Sequence, residues 1–111
     1  MSINQKVSID DFSKIEIHVG KVIKAEDVAA SRKLIRLTVE IGEKNPRTIF
    51  TGVRGFGYTA ADFEGKQFLF VTNLEPKKIM DEESQGMILA VGDDKPLFVS
   101  AEGLPVGAKV R

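Results

Sequence analysis

Apolar residues fall at alternate positions through most of this chain, and glycines and polar turns separate the runs. A period of two marks half-buried strands rather than helices. Lys33–Ile41 is the clearest case: Ile35, Leu37, Val39 and Ile41 share one side, and Arg36, Thr38 and Glu40 the other. Ile15–Val28 alternates too, with Ile15, Ile17 and Val19 opposed to Glu16 and His18. Gly20 interrupts that run and predicts a bulge or sharp bend. Gly42–Pro46 has turn chemistry and leads into a third strand over Arg47–Val53. Lys66–Leu74, apolar through its centre, predicts a strand covered on both faces; Gly86–Val91 predicts a fifth, and Pro96–Ser100 a short sixth segment. Helix is scarce. Ile9–Lys14 reads as a single turn, and Gly57–Lys66 as a very short helix capped by Thr59, with Asp62 in a capping-box position and Gly65 as its stop.

Three strands, a short helical connection and two more strands are the order of an OB-fold. This all-β class is a five-stranded Greek-key barrel, here with a short helix between strands three and four. SH3-like barrels share the same periodicity. OB-folds bind on the face of strands two and three and on the loops beside it, including the loop between strands four and five. In this chain that loop holds the stretch "NLEPKKIMDEESQGMILAV", Asn73 to Val91, which mixes a proline, paired lysines, an acidic run and two methionines.

Composition narrows the picture. A length of 111 residues predicts one domain, 1–111, with segments of about 1–12 and 96–111 flanking the barrel. The absence of cysteine, of an export signal and of any apolar run near the length of a membrane helix predicts a cytoplasmic protein with no membrane association. Sixteen basic and sixteen acidic residues cancel, so any nucleic-acid binding must come from a local basic cluster and be salt-sensitive. No Ser-His-Asp, Cys-His or metal–carboxylate set can be assembled, and His18, the single histidine, lacks a second metal ligand at a suitable spacing. The expectation is a protein without catalytic residues, metal or cofactor. "GVRGFG" (Gly52–Gly57) is not a phosphate loop, since it lacks the glycine spacing and the following helix.

"DFSKIEIHVGKV", "NLEPKKIMDEESQGMILA" and "LPVGAKVR", in this order, resemble the tRNA-binding OB domain family. That family includes free-standing dimeric tRNA-binding proteins, the C-terminal domain or separate subunit of methionyl-tRNA synthetases, and CsaA-type secretion chaperones. Two places depart from the family pattern: His18 stands where arginine is usual, and the stretch Val28–Leu34 keeps only Ala30, Lys33 and Leu34 of its common sequence. The resemblance implies a non-enzymatic protein that recognises tRNA by shape and backbone and assists an aminoacyl-tRNA synthetase, most naturally the methionyl enzyme. It also implies a homodimer built largely from the flanking segments. Two other functions follow from the same resemblance: a chaperone with a peptide client, and an architectural subunit that dimerises a synthetase.

The candidate RNA-binding residues are Lys33, Arg36, Tyr58, Asn73, Lys77, Lys78, Met80, Ser84, Gly86 and Met87. Lys77 and Lys78 follow Pro76, which presets the backbone, and either contact phosphate or stand as solvated surface charges; the resemblance favours contact, more for Lys78. Asn73 and Ser84 suit a phosphate, a ribose hydroxyl or a base edge, and equally suit bonds within their own loop. Met80 and Met87 are soft surfaces for a base or a peptide side chain, or core fillers. Gly86 allows a close backbone approach. Arg36 points outward by alternation, with surface ion pairing as the competing role. Of the aromatics, Tyr58 is the best candidate for an exposed stacking platform, while Phe50 is assigned to the core.

Overall fold

A computed structural model describes residues 5–111; the start of the flanking segment, 1–4, lies outside the described residues. A short helix α1 (Ile9–Ser13), capped by the Ser8 hydroxyl accepting from Asp11 N–H, precedes the strands. These are β1 (Ile17–Asp27), β2 (Ile35–Glu40), β3 (Arg47–Thr51), β4 (Gln67–Val71), β5 (Lys77–Ile79), β6 (Glu82–Ser84), β7 (Met87–Ile88), β8 (Ala90–Val91) and β9 (Leu97–Phe98). Five of them make one antiparallel sheet in the order β3-β2-β1-β4-β7, which curls into a nearly closed barrel with little helix. β5–β6 and β8–β9 are separate two-stranded ribbons.

The alternation in β2 does what its pattern demands: Ile35, Leu37 and Val39 are fully buried, and Ile41 nearly so. They meet Val22, Ile49, Phe63, Phe70 and Ile88 in one core. Each such side chain contributes about 1.5–3 kcal/mol by leaving water. The connection between β3 and β4 holds two single 3-10 turns, Arg54–Phe56 and Ala60–Asp62, and the second carries the Thr59/Asp62 capping box.

Two sequence expectations change. The bulge in β1 lies between Val22 and Lys24, not at Gly20. Gly20 stays in register with Phe68, and a Cβ there would sit 2.6 Å from the Phe70 ring and 2.7 Å from Val39. It is glycine because the inside of a small barrel has no room at that position. The fifth strand is also split: Met87–Ile88 pairs with β4, and Ala90–Val91 leaves the sheet to pair with β9. The C-terminal tail closes the open flank of β1, through Val19 N–H to Ala108 O at 2.9 Å and Val110 N–H to Ile17 O at 2.8 Å. His18 stands at that junction, its Nδ1 2.9 Å from Gly107 O and its Nε2 3.0 Å from Glu16.

Candidate nucleic-acid interface

Asn73–Val91 is not one loop but a clasp and a hairpin. The clasp is Ser84-Gln85-Gly86. β3 is an edge strand, and its outer N–H groups need acceptors. Gln85 Oε1 accepts from Thr48 N–H at 3.0 Å, Gln85 N–H donates to Thr48 O at 2.8 Å, and Ser84 Oγ accepts from Phe50 N–H at 3.0 Å. Side chains thus complete the barrel seam between β3 and β7. Gly86 makes this possible: its φ is +154°, and a Cβ would lie 2.8 Å from Val71 O.

The hairpin is β5–β6, turning at Met80, whose φ of +57° is in the left-handed region. The sequence hid it, because Pro76, charge and a left-handed methionine argue against strands. Its register pairs Lys77 with Ser84, Lys78 with Glu83 and Ile79 with Glu82. Alternation therefore puts Lys77 and Ile79 on the side facing the barrel with buried Ser84, and Lys78 on the opposite side beside Glu83. The acidic run also has a use. Glu82 takes a two-pronged bond from Arg36, Nε and Nη2 each 2.8 Å from a carboxylate oxygen, while Arg36 also reaches Glu26 at 3.3 Å and Thr48 at 3.2 Å. The guanidinium holds the Glu82 carboxyl below the usual glutamate range, and Glu82 in turn raises Arg36. Arg36 is therefore a tether for the hairpin rather than a free cation on the outer face of β2–β3.

Two other arginines of this region, Arg47 and Arg54, are likewise engaged, whereas Arg32 is exposed. Arg47 pairs with Glu43 at 2.8 Å and donates to Thr72 O and, at 3.0 Å, to Gln85 O. Arg54 donates to Val28 O at 3.1 Å and Ser31 O at 2.6 Å, tying down the loop after β1. The lysines differ. Lys33, Lys44, Lys77 and Lys78 are exposed, and among the described residues the lysines in ion pairs are Lys14, Lys24 and Lys109.

Other candidates take structural roles. Asn73 joins distant chain: its Oδ1 accepts from Glu16 N–H at 2.8 Å and its Nδ2 donates to Lys14 O at 2.6 Å. Ser84 and Gly86 belong to the clasp and also border the cleft between β3 and the hairpin. Tyr58 is not a free platform, because its hydroxyl donates to Pro96 O at 2.6 Å and its ring packs on Phe63 and Phe98. Phe50 reverses its expectation. Ile49 and Thr51 point inward, so Phe50 points outward, directly opposite Arg36 on β2. The signal was available, since period two around the buried Ile49 puts its neighbour outside.

Phe50 lines a cleft of about 650 Å³ between β3 and the hairpin, with Leu34, Leu74, Ile79 and Met87 as its apolar walls and Glu75 and Lys77 beside them. Leu74 and Met87 are about half exposed, an unusual accumulation of apolar surface next to free lysines. Leu74 also borders a second, more polar cleft of about 550 Å³ that includes Lys44, Asn45 and Gln85. Met80 stands at the hairpin tip, half exposed, and Lys33 precedes the cleft residue Leu34.

A small antiparallel barrel with its exposed lysines and an apolar cleft beside strands two and three belongs to the OB class of nucleic-acid-binding folds. The chain is a member of the family described as "Putative tRNA binding domain", whose model matches residues 17–109. It is 43% identical over 105 residues to a methionine–tRNA ligase of Methanococcus aeolicus, covering 94% of this chain and 15% of that protein. A methionine–tRNA ligase of Clostridium acetobutylicum is 42% identical over 110 residues, covering 96% of this chain but 17% of the relative. The chain thus spans about a sixth of the length of these curated relatives. Among solved structures, a MetRS-related protein from Pyrococcus horikoshii superposes with a TM-score of 0.85 at 38% identity, covering 96% of this chain and 99% of that one. The chaperone CsaA of Bacillus anthracis shares the fold, with a TM-score of 0.84 at 24% identity over 96% and 100% of the two chains.

Proposed function

We propose that this chain is a non-catalytic tRNA-binding module that holds tRNA by its backbone and shape and works in the cytoplasm with a methionyl-tRNA synthetase. The observation that carries the reading is the exposed set Lys33, Lys44, Lys77 and Lys78 of a tRNA-binding-family barrel. Lys44 and Lys77 line the two clefts, Lys33 precedes the cleft residue Leu34, and Lys78 stands on the outer side of the hairpin. Lysine serves as a point charge for phosphate, so recognition falls on backbone geometry more than on base sequence. Relatives named as methionine–tRNA ligases, and a solved neighbour named as MetRS-related, support the choice of synthetase.

A homodimer is part of this reading. Exposed apolar side chains gather on and beside the flanking segments: Ile9, Phe12 and Ile15 near Val110, and Val91 paired with Leu97 on the β8–β9 ribbon. A two-fold pair would bury such surface and present two basic faces to one folded RNA. The test is a gel-shift titration with bulk tRNA, single-stranded RNA and duplex DNA at low and moderate salt, beside a light-scattering mass. Preferential tRNA binding that weakens with salt, by a dimer, is expected; equal binding of all three nucleic acids would sink the reading.

A peptide-binding chaperone is the competing reading, favoured by the half-exposed Leu74, Met80 and Met87. It predicts suppression of client aggregation that bulk tRNA does not compete away.

A further inference from the structure

The lysines account for phosphate contact, but they leave the 650 Å³ cleft without a purpose. Its floor includes the ring of Phe50, which lies on the outer face of β3 rather than in the core. Around it stand the aliphatic Leu74 and Ile79 and the polarizable thioether of Met87, apolar groups that water solvates poorly. The polar atoms nearest the ring are already satisfied, since Phe50 N–H and the Ser84 hydroxyl bond to each other. Two charged groups also line the cleft, Glu75 and Lys77, both exposed and open to a ligand. Gly52 lines it as well, two residues beyond Phe50 and so on the same face by alternation. A Cβ there would meet nothing within 4 Å, so the mouth of the cleft is open for want of a side chain.

We propose that this cleft takes one unstacked nucleobase of the bound tRNA, stacked on Phe50 between Leu74 and Met87. The inference rests on the tRNA-binding reading above and assigns a base-recognition site within it. Lys77 projects from the barrel-facing side of the hairpin and reaches the phosphate of the same nucleotide or its neighbour. Glu75 accepts from an exocyclic amino group, which cytosine, adenine and guanine carry and uracil does not. A π-face on an aromatic ring, with an anion acceptor on one side and a cation for phosphate on the other, matches a nucleotide better than an aliphatic peptide side chain. Charge complementarity on the rim selects the occupant.

Gly52→Leu fills the mouth without a φ penalty and without touching the core. With bulk tRNA, it should weaken binding by about 5- to 150-fold, the range for one lost stacked base. The slope of log affinity against log salt should stay the same, because no phosphate contact is removed. Phe50→Leu keeps the apolar bulk and should lose several-fold. Zero-length ultraviolet crosslinking of the parent chain to bulk tRNA should attach a cytosine, adenine or guanine to the peptide containing Phe50. If the parent binds tRNA but Gly52→Leu binds it equally well, or no crosslink forms in the cleft, the base site is overturned while tRNA binding stands. Loss of client protection by Gly52→Leu with tRNA binding intact would overturn it in favour of a peptide side chain. A parent chain that binds no tRNA would bring down the underlying reading itself.

Discussion

The clasp Ser84–Gly86 and the hairpin Lys77–Ser84 adjoin in the chain but are held by different physics. Ser84 is buried and, with Gln85, satisfies the edge of β3 through short bonds. Most of the hairpin is exposed and tied back chiefly through Arg36 and Glu82. A buried donor left unpaired costs far more than an exposed ion pair returns. The clasp therefore belongs to the stability of the barrel, and the hairpin to whatever binds it. The same division separates the basic residues: Arg36, Arg47 and Arg54 fasten loops, while Lys33, Lys44, Lys77 and Lys78 remain available.

Substitutions test that division in order of expected effect. Gly86→Val forces a Cβ against Val71 O in a backbone conformation that disfavours side chains. It should lower unfolding free energy by about 2–4 kcal/mol in a urea titration. Ser84→Ala strands the Phe50 N–H and should lower the same measurement by about 1–3 kcal/mol. Ser84 and Gly86 also line the cleft, but neither substitution removes the Phe50 ring or Lys77. The tRNA affinity of the folded fraction should therefore fall less than with Gly52→Leu; a larger loss at unchanged stability would place the clasp itself in the site. Glu82→Gln should barely move the urea midpoint, yet raise amide exchange within Lys77–Ser84. Acid should mimic it. The folded-state pKa of Glu82 is depressed by Arg36, so its contribution is complete above the ordinary glutamate value near 4.5 and is lost as pH falls through the lower folded value. Hairpin protection, corrected for the intrinsic pH dependence of amide exchange, that is flat from pH 7 to well below 4 would break the tether argument. Lys77→Ala should change stability least of all. Its readout is tRNA binding, with a salt slope flatter by about one unit, and the same slope as the parent would remove Lys77 from phosphate contact.

The difference between clasp and hairpin also explains how far the residues could be read in advance. The alternation in Ile35–Ile41 and the Thr59/Asp62 capping box are local signals, and the structure keeps both. The role of Asn73 was not legible, because its partners, Lys14 and Glu16, are 59 and 57 residues away. The partner of Arg36 was hidden for the same reason, with Glu82 lying 46 residues on. Tyr58 looked exposed because nothing nearby in sequence announces Pro96 and Phe98 as its neighbours.

The sequence by itself determined the strand pattern, the inward face of β2, the family and the segment where binding chemistry concentrates. Those follow from period, turn residues and motif, all of which act between near neighbours in the chain. Only the tertiary structure decided which cations stay free, that Phe50 lines a cleft, and that Ser84, Gly86 and Asn73 serve the barrel. Each of these depends on which groups from remote strands arrive within hydrogen-bonding distance, and barrel closure sets those distances.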